Sequence, residues 1–302
     1  MARLLQGLAG SAGIVVSLAV ARDLYSGAEL SRMLSLLALV SASAPIVAPV
    51  LGGQLSRFLD WRGIFFVLSG IGITLFLLAY RSLNETLPDR LRHGGGLRTI
   101  RSQLAVLSRD RTFMTILLAA AAAGVGFFSY LSMSSFVLEK QYGLSPQLFS
   151  LVFAANALVN LGGSQLSRLL VRRLGPLRMY LTGQTASIVA GLAMLAVTAF
   201  GAGLGALIGT LMLFLLSVGI GGPNGTTLAL RAHGLRAGTA AAVLGMVMFT
   251  VGPVIGPLAS LGGASATAMA IRISAGAAAA ALLAWTLVWR RTEVAEVSRR
   301  RA

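Results

Sequence analysis

Asn156, Asn160 and Ser164 recur four residues apart in an otherwise apolar run, and Asn224 follows Pro223 in another. A spacing of four places side chains on one face of a helix. Amides on such a face either bond a neighbouring helix or line a wet cavity and meet a polar solute. Two proline pairs share the spacing, Pro45 with Pro49 and Pro253 with Pro257. Each proline lacks an amide donor and frees the carbonyl four residues earlier. In an apolar setting the freed carbonyl must face protein or water, so the pairs are candidate bends for gating and are not ligands. Near the start, Arg3, Gln6, Gly10, Gly13 and Ser17 follow intervals of three or four and share a face. Arg3 either joins that polar face or snorkels into headgroups. Phe127, Phe128, Tyr130, Met133 and Phe136 enrich a further run in aromatic and soft apolar groups. That composition suits both a lining for bulky hydrophobic solutes and plain packing.

Covalent chemistry has no comparable constellation. The chain has no cysteine, which removes thiol nucleophiles, disulfides and thiolate metal sites. His93 and His233 lie far apart in connecting segments, are expected to be solvated, and offer no zinc spacing. Lys140 is the only lysine, so no phosphate-binding glycine loop with its lysine exists and ATP is not a partner. All nine acidic residues fall in connecting segments or the tail, leaving no carboxylate inside an apolar run. No cofactor and no enzyme activity are implied.

The elements that position these groups follow from composition. Hydrophobic residues make up 56% and charged residues 11%, whereas soluble domains carry about a quarter charged. Apolar spans are expected at 1–21, 30–55, 62–82, 112–138, 147–169, 177–199, 204–229, 239–262 and 267–289. A hydrocarbon core of about 30 Å needs roughly 20 such residues of helix, so the chain reads as an all-α polytopic membrane protein with about nine transmembrane helices. The net charge of +16 does not gather on a soluble face, as nucleic-acid binding would require. All but Arg3, Arg57, Arg62, Lys140 and Arg272 among the 25 Lys and Arg fall in alternate connectors. By the positive-inside rule those connectors and the C-terminus are cytoplasmic.

With nine spans this orientation puts the N-terminus outside, against Arg3, and the expectation is that an odd number of helices precedes Met1. A partial internal repeat agrees: Gly10–Arg22 resembles Gly219–Arg231, and Ala44–Pro49 resembles Gly252–Pro257. Pairing the first span with the seventh and the second with the eighth sets a six-helix unit, a device common in transporters. The expected division is 1–82, three helices of an N-terminal bundle; 83–111, a cytoplasmic linker with an amphipathic stretch at Leu97–Leu107; and 112–302, a six-helix bundle with a basic tail.

Several short motifs then fall in a characteristic order. They are Arg3–Gly7, Arg22-Asp23-Leu24-Tyr25, the segment from Pro45 and Pro49 to Gly52-Gly53-Gln54, and Glu85-Thr86-Leu87-Pro88. Tyr142–Pro146, Arg172-Arg173-Leu174-Gly175-Pro176 and Pro223-Asn224 continue the series. Together they resemble the major facilitator superfamily, specifically its Bcr/CflA group of drug:proton antiporters. The resemblance implies a six-plus-six major facilitator fold in a bacterial cytoplasmic membrane, exporting small amphiphilic molecules in exchange for protons, with membrane lipid as the surrounding partner. It also implies coupling or transport roles for Arg3, Gln6, Gly7, Pro45, Pro49, Asn156, Asn160, Asn224, Pro253 and Pro257. Phe128, Tyr130, Met133 and Phe136 become candidates for lining the substrate path. The chain departs from the family in lacking the first three helices and the loop between helices two and three. Ala44 and Ala48 also stand where glycine is usual, and Ser135 where a Ser-Pro-Phe triplet is usual. The alternative is a non-transporting remnant, and the 302-residue chain alone is expected not to perform coupled transport.

Overall fold

The computed structural model describes residues 13, 16–17, 20–21, 24–25, 27–82, 97–231, 233, 237–260, 263 and 265–301, with no strand among them. Two compact units divide the chain, Met1–Gly95 and Gly96–Ala302. In the first, the span expected at 1–21 lies largely outside the described residues. Helix α1 is Gly27–Leu55 and α2 is Trp61–Ser82. Asp60 caps α2, its Oδ1 accepting from the Gly63 amide at 2.8 Å, and so satisfies a donor that the first turn leaves without a partner. The Arg62 guanidinium lies 4.3 Å from the Trp61 ring centroid, an aromatic–cation pair of the kind that marks a membrane–water boundary. No residue of α2 is buried, although its 22 residues are apolar enough to span a bilayer.

The second unit comprises α3 Leu97–Arg109, α4 Arg111–Ser135, α5 Pro146–Ala199, α6 Gly203–Leu230, α7 Ala237–Ser260 and α8 Ala266–Arg301. A π-helical turn, Phe136–Gln141, carries α4 onward and buries Val137 and Leu138. Helix α3 coincides with the expected amphipathic stretch. It docks through buried Leu107 and through Gln103 Oε1, which accepts from the Thr239 hydroxyl. Helices α2, α5, α6, α4 with its π turn, and Ala266–Leu287 of α8 are long and apolar enough to cross a membrane.

Helix α5 was expected as two spans, and Gly175 explains why the longer element contains both. Its φ of 78° and ψ of 158° break the helical path, a conformation that glycine reaches without a Cβ clash. Pro176 follows, where a missing amide donor costs nothing at the first turn of a new arm. Asn160, Ser164 and Ser167 meet Leu215, Gly219 and Asn224 in rising order along both chains. Tyr180, Gly183 and Ser187 meet Gly225, Gly221 and Ser217 in falling order. The first arm, 146–174, therefore runs parallel to α6 and the second, 176–199, antiparallel, with α6 held between them. Two apolar clusters complete the bundle. One gathers Met133, Leu138, Met194, Leu211 and Ile273; the other gathers Leu107, Phe113, Tyr180, Leu228 and Leu244.

Candidate functional site

The polar residues of α5 and α6 form a seam through the second unit. Asn160 Nδ2 donates to the Leu215 carbonyl at 3.0 Å. Ser164 Oγ donates to the Gly219 carbonyl at 3.2 Å. Asn224, 4% exposed, donates from Nδ2 to Ser167 Oγ at 2.6 Å and to the Ile220 carbonyl at 2.7 Å. The glycines make this approach possible. A Cβ on Gly219 would lie 2.0 Å from the Asn160 carbonyl oxygen, and one on Gly163 would lie 2.4 Å from the Leu216 oxygen. On the opposite face of α6, a Cβ on Gly183 would lie 2.5 Å from Gly221 Cα, and the Ser187 and Ser217 hydroxyls are 2.7 Å apart. Small residues thus bring backbones together, and side-chain polar groups bond across the contact where lipid supplies no competing partner. Of the two uses open to Asn160 and Asn224, this geometry realises interhelical bonding.

Asn156 joins the same arm to α4. Its Nδ2 donates to the Tyr130 hydroxyl at 3.2 Å, and the Tyr130 ring stacks on Phe153 with centroids 5.5 Å apart. Asn156 Oδ1 is buried and accepts no hydrogen bond among the described residues. An orphaned buried acceptor costs about 1–3 kcal/mol, which makes Asn156 the amide of this set with spare bonding capacity. The aromatic candidates separate. Tyr130 and Met133 are 2% and 1% exposed within an apolar cluster. Phe128 is half-buried with its ring edge-on to Phe127. Phe136 is exposed, with the Lys140 ammonium 5.0 Å from its ring centroid.

Arg272 is a polar residue whose place the spacing concealed. Counted among the outer-side cations, it is the seventh residue of α8, where Nη1 approaches Met133 Sδ at 2.9 Å. Its position within the span expected at 267–289 was the available signal, since a charge inside an apolar helix is costly and marks a site of interest. His233 also corrects the expectation of a solvated loop residue, being only 6% exposed. Its Nε2 lies 3.0 Å from Asp110 Oδ2. Arg3, Gln6 and Gly7 lie outside the described residues. Helices α1 and α7 keep their helical assignment through Pro45, Pro49, Pro253 and Pro257. Pro49 is half-buried, whereas the side chains of Pro45, Pro253 and Pro257 lie outside what the structure describes.

Residues 1–257 match the family model of the Major Facilitator Superfamily. The chain belongs to the Major Facilitator Superfamily. The resemblance to this superfamily read from its motifs is borne out, as is the all-helical polytopic fold. A relative in Bacillus subtilis (strain 168), the uncharacterized MFS-type transporter YdgK, is 35% identical over 89% of this chain and 67% of its own length. The bicyclomycin resistance protein homolog of Haemophilus influenzae is 28% identical over 85% of this chain and 64% of its own. The multidrug resistance protein MdtL of Klebsiella pneumoniae (strain 342) is 27% identical over 90% and 67%. This chain therefore spans about two thirds of the length of these relatives. A solved bacterial homologue of the iron transporter ferroportin, in an inward-facing state, superposes with a TM-score of 0.64 at 18% identity. It covers 89% of this chain and 65% of its own, and speaks for the fold alone. As a superfamily member the chain is a multi-pass membrane protein of a transporter family and no enzyme.

Proposed function

We propose that this superfamily member forms part of an efflux transporter that exports small amphiphilic molecules in exchange for protons across a bacterial cytoplasmic membrane. The observation that supports this reading is the similarity, over most of the chain, to proteins named for bicyclomycin and multidrug resistance. The seam suits such a machine. Alternating access moves one bundle against another as a body, and a bundle that moves as a body needs its helices fixed to one another. Close glycine contacts on both faces of α6 supply that. Pro253 and Pro257 in α7, with Pro45 and Pro49 in α1, remain the candidate bends, and Asn156 a candidate contact for a substrate donor through Oδ1.

The test is ethidium efflux from proteoliposomes under an imposed proton gradient. The 302-residue chain is assayed as it stands and fused behind the N-terminal third of the Bacillus subtilis relative. Efflux by the fused protein that a protonophore abolishes is the expected result, slowed but not lost in the Pro253→Ala/Pro257→Ala variant. A correctly inserted fusion without gradient-dependent efflux overturns the proposal. Among the spans described, Glu139, two residues from the end of the π turn that extends α4, is the only carboxylate, and a single acid at a span's end favours a second reading, that this chain alone does not couple to protons. Efflux by the fusion but not by the chain is its signature.

Orientation has its own test, because the chain contains no cysteine. In the proposed topology α3 is cytoplasmic and the turn between α5 and α6 is periplasmic. Ser108→Cys and Phe200→Cys place single thiols at exposed positions of these segments. The Glu139–Pro146 connector is expected on the same side as Phe200, but Gly143 has a φ of 73° that penalises a side chain. An impermeant maleimide added to intact cells is expected to label Phe200→Cys alone, and labelling of Ser108→Cys sinks the topology.

A further inference from the structure

Arg178 and Arg231, both exposed, line a common open groove of about 210 Å³, where the second arm of α5 begins beside the end of α6. Leu174, Leu177 and Leu228 form its apolar wall, and no acidic side chain among the described residues contributes to it. Neither guanidinium meets a carboxylate among the described residues. Arg168, Arg172 and Arg173 are exposed on the preceding arm, close to the break at Gly175. Drug-sized solutes occupy cavities of about 300–1,000 Å³, so this one takes a smaller group. Two forked cations beside a leucine wall match a ligand that is anionic at one end and hydrocarbon at the other. Guanidinium forks complement phosphate oxygens, and basic pockets between membrane helices recognise lipid headgroups.

We propose that this groove holds the phosphate of an anionic phospholipid, gripped by Arg178 and Arg231, with the start of its acyl chains along Leu174, Leu177 and Leu228. The lipid then ties the reversal in α5 to the end of α6 and neutralises a corner that the protein leaves positive. The proposal rests on the orientation given above only in naming the leaflet, which is the cytoplasmic one. Its test reads neither orientation nor transport, so the two readings fail separately.

The purified 302-residue chain in mild detergent is titrated with phosphatidylglycerol, phosphatidylcholine and inorganic phosphate, and bound lipid is counted by native mass spectrometry. Selective retention of phosphatidylglycerol is expected. Arg178→Gln/Arg231→Gln weakens it about thirtyfold, the effect of two membrane-surface arginines. Arg178→Lys/Arg231→Lys keeps the charge and loses less than about fivefold. Arg57→Gln/Arg62→Gln, with equal charge removed from the other unit, leaves retention unchanged. Equal losses in both glutamine pairs, equal binding of phosphatidylcholine, or displacement of the lipid by millimolar phosphate each overturn the proposal. Should the Arg178→Gln/Arg231→Gln pair not fold, Arg231→Gln alone carries the test, with a loss of about fivefold expected and an unchanged affinity decisive against it.

Discussion

Gly219→Ala is expected to destabilise the folded second unit severely, while Gly222→Ala, three residues further along the same helix, leaves it intact. The added methyl at Gly219 would sit 2.0 Å from the Asn160 oxygen, 3.0 Å from its carbonyl carbon and 3.1 Å from the Ser164 nitrogen. These are backbone atoms of a packed helix and cannot swing aside. The two helices must move apart by about 1 Å, because an overpacked core relaxes only by shifting whole elements. That shift breaks the Asn160–Leu215 and Ser164–Gly219 bonds and weakens the Asn224–Ser167 contact beside them. Overpacking costs about 1–3 kcal/mol, and each interhelical bond adds roughly 0.6 kcal/mol. The sum, about 2–5 kcal/mol, is a large share of the roughly 5–15 kcal/mol that holds a folded domain together. At Gly222 a Cβ meets nothing within 4 Å, and alanine there gains about 0.5–1 kcal/mol of helix preference. Fluorescence-detected size exclusion after stepwise heating reads both variants, and coincident melting midpoints would show that α5 and α6 do not approach as described.

That seam also shows where sequence reasoning stops. The spans were legible because twenty-odd apolar residues between arginines admit few other readings, and α3 to α7 begin and end near the expected limits, whereas α8 begins where expected but runs on to Arg301 through the basic tail. The reversal at Gly175 was legible from Gly-Pro beside a basic cluster. Periodicity placed Asn156 and Asn160 on one face, but it carries no information on which helix that face meets, and Leu215 lies 55 residues from Asn160. Among 36 glycines, nothing in the sequence distinguishes Gly219 from Gly222, since both are glycines in an apolar helix. The aromatic run in α4 was ambiguous for a related reason. Lipid, core and cavity walls all accept Tyr130 and Met133, and only tertiary packing assigns them to the core. Composition placed His233 in a connector without revealing that its ring packs against Phe113.

That connector carries the second large effect. Asp110 Oδ1 accepts from the amides of Thr112 at 2.8 Å and Phe113 at 3.0 Å, capping α4, while Oδ2 lies 3.0 Å from His233 Nε2. The imidazole stands edge-on to Phe113, ring centroids 5.5 Å apart, and its backbone amide donates to the Leu230 carbonyl. One carboxylate therefore joins the start of α4 to the end of α6. Asp110→Ala removes the cap, worth about 1 kcal/mol, and with it the carboxylate that faces a buried imidazole nitrogen 3.0 Å away; because that nitrogen makes no aligned hydrogen bond among the described residues, the contact adds only about 0.5–1.5 kcal/mol. Asp110→Asn keeps a good capping acceptor but loses the charge, and is expected to cost about half as much. In a His233→Ala background Asp110→Ala should cost only the cap, roughly 1 kcal/mol, so the double-mutant cycle must show a coupling above about 0.5 kcal/mol. Additive melting shifts would mean that Asp110 serves α4 alone and that His233 is held by Phe113. A clear coupling establishes instead that the end of one helix of this transporter bundle is fixed to the start of another through a single side chain.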